Sequence, residues 1–403
     1  MNTFNWFWIV LITIALFESS IVFGQERYRT VLDSPWVRHT IDDSSLGSDG
    51  TKFSDVNNDG KLDLITGWEE GGISRIYLQP DNTKEKWPYI TLPSPDVDLN
   101  GDGFMDLITL SEGDHQRITI HWAPADAADY LDAQKWISKD IPITIGQTKW
   151  MFGRPINLDG KNGLDLVVGS KDPNGTLGWL EAPENPLIME DWKYHEISSL
   201  GWVMSIELLD MNTDGEVDVV ITDRKGDLRG LRWLENPGRN SLTNAWENHF
   251  LGIRDGEPMF MDFYEAKKNQ KEINFIVPVV QHGWEHFVKN EEVWENYTLQ
   301  FPDFVGDRAK SVKIGDINGD GMLDLTATFS ESLGKSGVIA MINFQTDFPY
   351  FIDISGKEGV KYDFILLKDL DGDGDLDLIT SEETAADGSK KGLGVIWYEN
   401  PIK

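Results

Sequence analysis

Residues 55–67 read DVNNDGKLDLITG, and close copies stand at 98–110 (DLNGDGFMDLITL), 210–222 (DMNTDGEVDVVIT), 316–328 (DINGDGMLDLTAT) and 369–381 (DLDGDGDLDLITS). Each couples an acidic, glycine-punctuated loop to a run rich in β-branched residues. A degenerate copy begins at Asn157, and the region around Asp262, FMDFYEAKKNQKEINFIVPVV, keeps the apolar run without the loop chemistry. The period is near 50 residues, with one interval doubled over that seventh unit.

Two further phases recur with the loop. Before it come Trp-led segments such as WVRHTI (36–41), WKYHEI (192–197) and WENHFL (246–251), and after it GWLEAPEN (178–185), RWLENPG (232–238) and IWYENPIK (396–403). Each unit therefore holds about four short runs separated by Gly, Pro, Asn and Asp, the pattern of antiparallel strands. Four strands per repeat at this period predict an all-β fold, a seven-bladed β-propeller of four-stranded antiparallel blades. WVRHTI precedes every loop while the chain ends just after IWYENPIK. The N-terminal strand is thus expected to complete the last blade and leave no edge unpaired.

Within the loop, positions 1, 3, 5 and 9 carry side-chain oxygens, position 6 is Gly and position 7 can offer its backbone carbonyl. Alternate oxygens around a tight turn suit Ca²⁺, which takes six to eight hard ligands. The expected ligand sets are Asp55, Asn57, Asp59, Lys61 and Asp63; Asp98, Asn100, Asp102, Phe104 and Asp106; Asp210, Asn212, Asp214, Glu216 and Asp218; Asp316, Asn318, Asp320, Met322 and Asp324; and Asp369, Asp371, Asp373, Asp375 and Asp377. About five calcium ions follow. In the third unit Lys161 takes position 5, where its ammonium replaces the cation between Asp159 and Asp165. An EF-hand is excluded, because position 12 is Thr66 rather than Glu and the flanks are strand-like.

These loops resemble those of the FG-GAP or VCBS-type repeat proteins, the propeller group that includes the integrin α-subunit head. The resemblance covers residues 26–403, although the Phe-Gly and Gly-Ala-Pro signature is missing. It implies a calcium-bound propeller and, through the secreted bacterial members, a link with polysaccharide degradation.

Asp and Glu outnumber Lys and Arg by 68 to 36, a net charge of -32, and there is no cysteine. That charge disfavours nucleic acid and anionic membranes as partners. Residues 6–17, WFWIVLITIALF, are too short to span a bilayer. They read as the h-region of a signal peptide, 1–24, cleaved after Gly24, although the n-region MNTFN has no Lys or Arg; an uncleaved anchor is the alternative. Residues 25–403 then form one propeller, secreted or periplasmic.

The loop from second to third strand, and the link into the next unit, should share the face opposite the calcium loops. Trp68, Trp150 and Trp202 fall there outside the repeat phases, with His115, His282, Lys149, Arg224 and Lys310. Aromatics beside polar groups hold sugar rings, so these residues are the candidate substrate site. The three histidines His39, His195 and His249 share one repeat phase and read as blade packing. No nucleophile motif is present. The expected function is binding or processing of an extracellular polysaccharide; the alternatives are a propeller polysaccharide lyase, similar to ulvan lyases, and a protein-interaction or adhesion module.

Overall fold

A computed structural model of the chain describes residues 29–31, 35–92, 96–113, 115–267, 270–290, 293–385, 388 and 390–402. The expected signal peptide lies outside the described residues. Five sheets have four antiparallel strands each, and a sixth has nine. The first is Ser48–Ser54, Asp63–Trp68, Ile73–Tyr77 and Tyr89–Leu92. The third is Lys149–Ile156, Asp165–Lys171, Thr176–Glu181 and Lys193–Ser199. The fourth is Val203–Leu209, Asp218–Asp223, Gly230–Glu235 and Glu247–Gly252.

The nine-stranded sheet consists of two four-strand runs and one added strand. Arg308–Gly315, Asp324–Ser330, Val338–Ile342 and Tyr350–Asp353 form one run, and Lys361–Lys368, Asp377–Glu383, Gly394–Glu399 and Val37–Asp42 the other. One pair, Ser330 with Lys361, joins them. The N-terminal Val37–Asp42 pairs antiparallel with Gly394–Glu399, placing His39 opposite Trp397. Arg29–Val31 adds a parallel strand outside Tyr350–Asp353, a pairing that the repeat pattern does not encode.

Burial grades across each sheet. All six residues of Asp218–Asp223 and all seven of Asp324–Ser330 are buried, whereas the outer strand Lys193–Ser199 alternates between exposed and half-buried. A second strand covered on both faces can be apolar throughout; an outer strand keeps one face wet. The apolar cores lie between successive sheets. Val167, Leu177 and Trp179 of the third pack on Val203, Ile206 and Val219 of the fourth. Val220 and Leu231 of the fourth pack on Phe275 and Val277 of the fifth. Ile379, Val395 and Trp397 near the chain's end pack on Leu64, Trp68 and Tyr77 near its start.

Asp262 does not stand in a loop. It opens the strand Asp262–Lys267, and its carboxylate accepts hydrogen bonds from Lys313 Nζ (2.7 Å) and the Ile314 amide (2.9 Å) of the next unit. That explains why an acid persists there without the rest of the loop.

Candidate functional site

In the first loop, Asp55 accepts the Asp59 amide (3.0 Å) and the Gly60 amide (2.9 Å), Asn57 Oδ1 accepts the Asp59 amide, and Asp59 Oδ1 accepts the Lys61 amide. The loops at Asp98, Asp210 and Asp316 repeat these bonds. Position 6 has φ between +84° and +100° in all five loops, a region open to Gly at no steric cost.

The position-9 aspartate has a role that ligand spacing does not reveal. Asp63 accepts the Val56 amide on one oxygen and the Gln79 amide, from beyond the third strand, on the other. Asp106, Asp218, Asp324 and Asp377 make the same two bonds. So does Asp165 in the third unit, where the rest of the loop is degenerate. The residue is thus a clamp on two backbone amides. Burial pushes its carboxyl up to about 6 in Asp63, Asp165, Asp218 and Asp377 and about 7 in Asp106. In the same third unit Lys161 Nζ bonds Asp159 Oδ2 at 3.1 Å.

The last loop gathers oxygens of Asp369, Asp371 and Asp373 within 4.8 Å of one another. Asp371 Oδ1 is shielded from solvent and accepts no hydrogen bond, while its Oδ2 meets Lys84 Nζ at 3.2 Å and the shielded Asp375 carboxyl bonds Asp373. Carboxylate oxygens left so are costly unless a cation sits among them. The donor set therefore fits a hard divalent ion such as calcium.

The opposite face corrects the aromatic expectation. Trp68 is 1% exposed, donates Nε1–H to the Tyr77 hydroxyl and belongs to the core between the chain's last and first sheets. Trp150 is also 1% exposed, bonded to the Thr144 carbonyl and set edge-on to Tyr194. Neither indole can stack on a ligand. Trp202 is partly exposed, but Lys171 Nζ, the Arg224 guanidinium and Lys225 Nζ lie 4.4, 4.6 and 4.8 Å from its ring centre. His282 bonds Glu285 (2.8 Å) and His115 is exposed. Lys310 is committed to Asp363 (2.5 Å) and Arg224 to Glu257 (2.7 Å).

What converges on this face is a belt of charge running from sheet to sheet. Glu69 and Glu112 share a hydrogen bond, and Lys171 pairs with Glu112. Arg308 lies 3.8 Å from Glu257 and 3.9 Å from Glu331. Lys361 pairs with Glu383 at 2.5 Å. The bond to Glu112, then burial, pushes Glu69 up to about 8. Glu112 lies below its ordinary value; burial opposes this, but the bonds from Glu69 and Lys171 outweigh it. Burial, then the neighbouring Asp363, pushes Glu383 up to about 7. Burial and Asp363 hold Asp49 well above the usual range. Sequence reasoning did not single out Asp49, Glu257, Arg308 or Asp363. The only signal was that Asp49, Arg308 and Asp363 fall within the first three residues of a first strand.

One sector of the belt is cationic. Lys149 stands directly opposite Lys171 in register, and Lys171 forms a bridge with Trp202. Lys171, Arg224 and Lys225 surround that indole, with Lys149 across the strand pair from Lys171; Glu112 pairs with Lys171, Glu257 with Arg224, and Asp223 lies beneath, accepting the Trp202 amide. A cavity between Lys52, Ile108, Leu110, Gly153 and Pro155 has a volume of about 30 Å³, room for one water. That is far below the roughly 300 Å³ at which small-molecule pockets begin.

No family model and no curated protein matches the chain. Among solved structures, the crystal structure of BBS1N in complex with ARL6DN, soaked with mercury, is similar at a TM-score of 0.54 and 10% identity, covering 93% of this chain and 99% of that one. The same complex soaked with lead gives a TM-score of 0.52 and 12% identity, covering 93% and 99%. The crystal structure of Saccharomyces cerevisiae Sqt1 gives 0.49 and 10%, covering 93% and 100%. The fold is therefore all-β and propeller-like. The expectation of polysaccharide binding or processing, and with it the lyase, is overturned: two of its three indoles are core, and the propeller-like chain that this one resembles was crystallised with a protein.

Proposed function

We propose that the chain is a seven-bladed, calcium-loop β-propeller similar to the FG-GAP and VCBS-type proteins, and that it docks a protein partner through an acidic segment seated on the cationic sector around Trp202. Seven blades are supported by cores that lie between successive sheets and by the packing of the last sheet's Trp397 on the first sheet's Trp68 and Tyr77. Calcium is supported by the crowding of the Asp369, Asp371 and Asp373 carboxylates and the orphaned Oδ1 of Asp371. Positions 1, 3 and 5 and the position-7 carbonyl hold the ion, while the position-9 clamp fixes the turn.

The observation that carries the docking is the gathering of three cations, Lys171, Arg224 and Lys225, on one indole, with Lys149 opposite Lys171 in register, in a chain of net charge -32. Charges farther than about 8 Å are screened at physiological salt, so a local excess of positive charge decides what binds there. Trp202 adds a rigid, amphipathic anchor, the residue type enriched at interface centres. BBS1N, similar in fold, was crystallised in complex with ARL6DN.

The test is fluorescence anisotropy with a labelled Glu- and Asp-rich peptide against the calcium-loaded protein, with a Gln-rich peptide of equal length as control. The acidic peptide should bind more weakly as salt rises and lose at least tenfold in affinity with Lys149→Glu plus Lys225→Glu, both partly exposed. Equal binding by the folded double variant, or none by the wild type, overturns the assignment.

A further inference from the structure

Three units carry the same cross-strand device on their outer strands. His39 stacks on Trp397 at 4.4 Å, His195 on Trp179 at 4.6 Å and His249 on Trp233 at 4.1 Å between ring centres. In each, the imidazole Nε2 also meets the glutamate two residues after the tryptophan: Glu399 at 2.8 Å, Glu181 at 2.9 Å and Glu235 at 2.8 Å. In two of the three a lysine completes the arrangement. Lys193, directly opposite Glu181 in register, bonds it at 3.3 Å, and Lys84 reaches Glu399 at 2.8 Å.

The fourth unit breaks this rule. The residue opposite Glu235 is Glu247, in the place that Lys193 holds in the third unit. Like charges directly opposite on a strand pair repel and destabilise it. His249 Nε2 lies 2.8 Å from Glu235 and 3.9 Å from Glu247, and the three ligand atoms all fall within 4.8 Å of one another. The imidazole is held nearly parallel to the Trp233 ring, at 13°, so its nitrogen is already aimed between the carboxylates. Glu247, 76% exposed, is free to close the remaining distance.

We infer that Glu235, Glu247 and His249 form a divalent transition-metal site, of the zinc class, in which the ion takes the place of the lysine ammonium found in the sister units. One imidazole with two carboxylates suits Zn²⁺, with water completing the tetrahedron, whereas Ca²⁺ and Mg²⁺ prefer oxygen alone. Ligation through Nε2 leaves the imidazole proton on Nδ1, any second proton passing to water, and the metal joins two strands that otherwise repel.

The experiment is equilibrium dialysis of the metal-stripped full chain against Zn²⁺ in excess Ca²⁺, which occupies the acidic loops, with melting temperature read in parallel. The wild type should retain one zinc equivalent and melt higher with it. Glu247→Lys, which restores the sister unit's ion pair, should fold at least as well and lose that equivalent. His249→Gln should lose it too, whereas His195→Gln should not. Zinc retained by Glu247→Lys, or none taken up by the wild type, overturns the site.

Discussion

At the scale of single residues, position 9 shows that a repeated aspartate can be kept for backbone chemistry. Asp165 holds the Leu158 and Ala182 amides in a unit whose loop is degenerate. Asp165→Ala strands both buried donors, at about 1–3 kcal/mol each. A destabilisation of roughly 2–6 kcal/mol in urea is expected, equal with and without calcium. A loss that calcium rescues would contradict the clamp. Glu383 bears on pH. Its folded carboxyl titrates near 7 against about 4.3 unfolded, so the unfolded chain releases that proton first as pH rises. Stability due to this group is full below about pH 4 and falls until about pH 7, by on the order of 3–4 kcal/mol. Glu383→Gln should flatten the slope of unfolding free energy between pH 5 and 8 relative to wild type, measured at saturating calcium. Parallel slopes would show that the group does not carry it.

Within one sheet, strand position decides what a charge can do. Arg232, on the third strand of the fourth unit, is fully buried, bonded to Ser198 Oγ (3.1 Å) and the Ser199 carbonyl (3.0 Å), with Asp223 at 3.5 Å. Asp223 in turn accepts the Gly201 and Trp202 amides, which fixes the backbone under the Trp202 indole. Breaking one side of a buried pair leaves a charge uncompensated, so Arg232→Met should cost about 3–5 kcal/mol in chemical denaturation. It should also weaken acidic-peptide binding, by loosening Trp202. Outer strands bear the opposite character. Their histidines sit over tryptophans at the wet edge, where Glu247→Lys should be tolerated.

Across the whole molecule, the two ends of the chain are joined by more than backbone pairing. Asp42, on the N-terminal strand added to the last sheet, accepts hydrogen bonds from Arg75 Nη1 and the Tyr77 hydroxyl (2.8 Å) of the first sheet. Asp42→Ala leaves Arg75 without that carboxylate and should destabilise the chain by about 2–4 kcal/mol, with an earlier melt. Chelation should lower the melting temperature as well. Ions bound only by the folded state stabilise it by about 2.7 kcal/mol per site at a hundredfold excess over Kd. An unchanged melt on chelation would count against calcium in the loops.

The amino-acid sequence by itself determined the local and the periodic. Loops such as DVNNDGKLDLITG dictate a turn with Gly at positive φ and a following buried strand, because those requirements are met within a dozen residues. Their recurrence determined the four-stranded sheets, and the position of WVRHTI pointed to the strand that pairs with Gly394–Glu399. Only the tertiary structure decided which side chains on the opposite face are available. Trp68, Trp150 and Trp202 look alike in sequence, yet two are core and one is ringed by cations. Lys310 and Arg224 belong to the candidate substrate site read from the sequence and are paired with Asp363 and Glu257 from other units. Exposure and pairing depend on which residue of a neighbouring sheet arrives opposite, and the spacing along one chain segment carries no record of it.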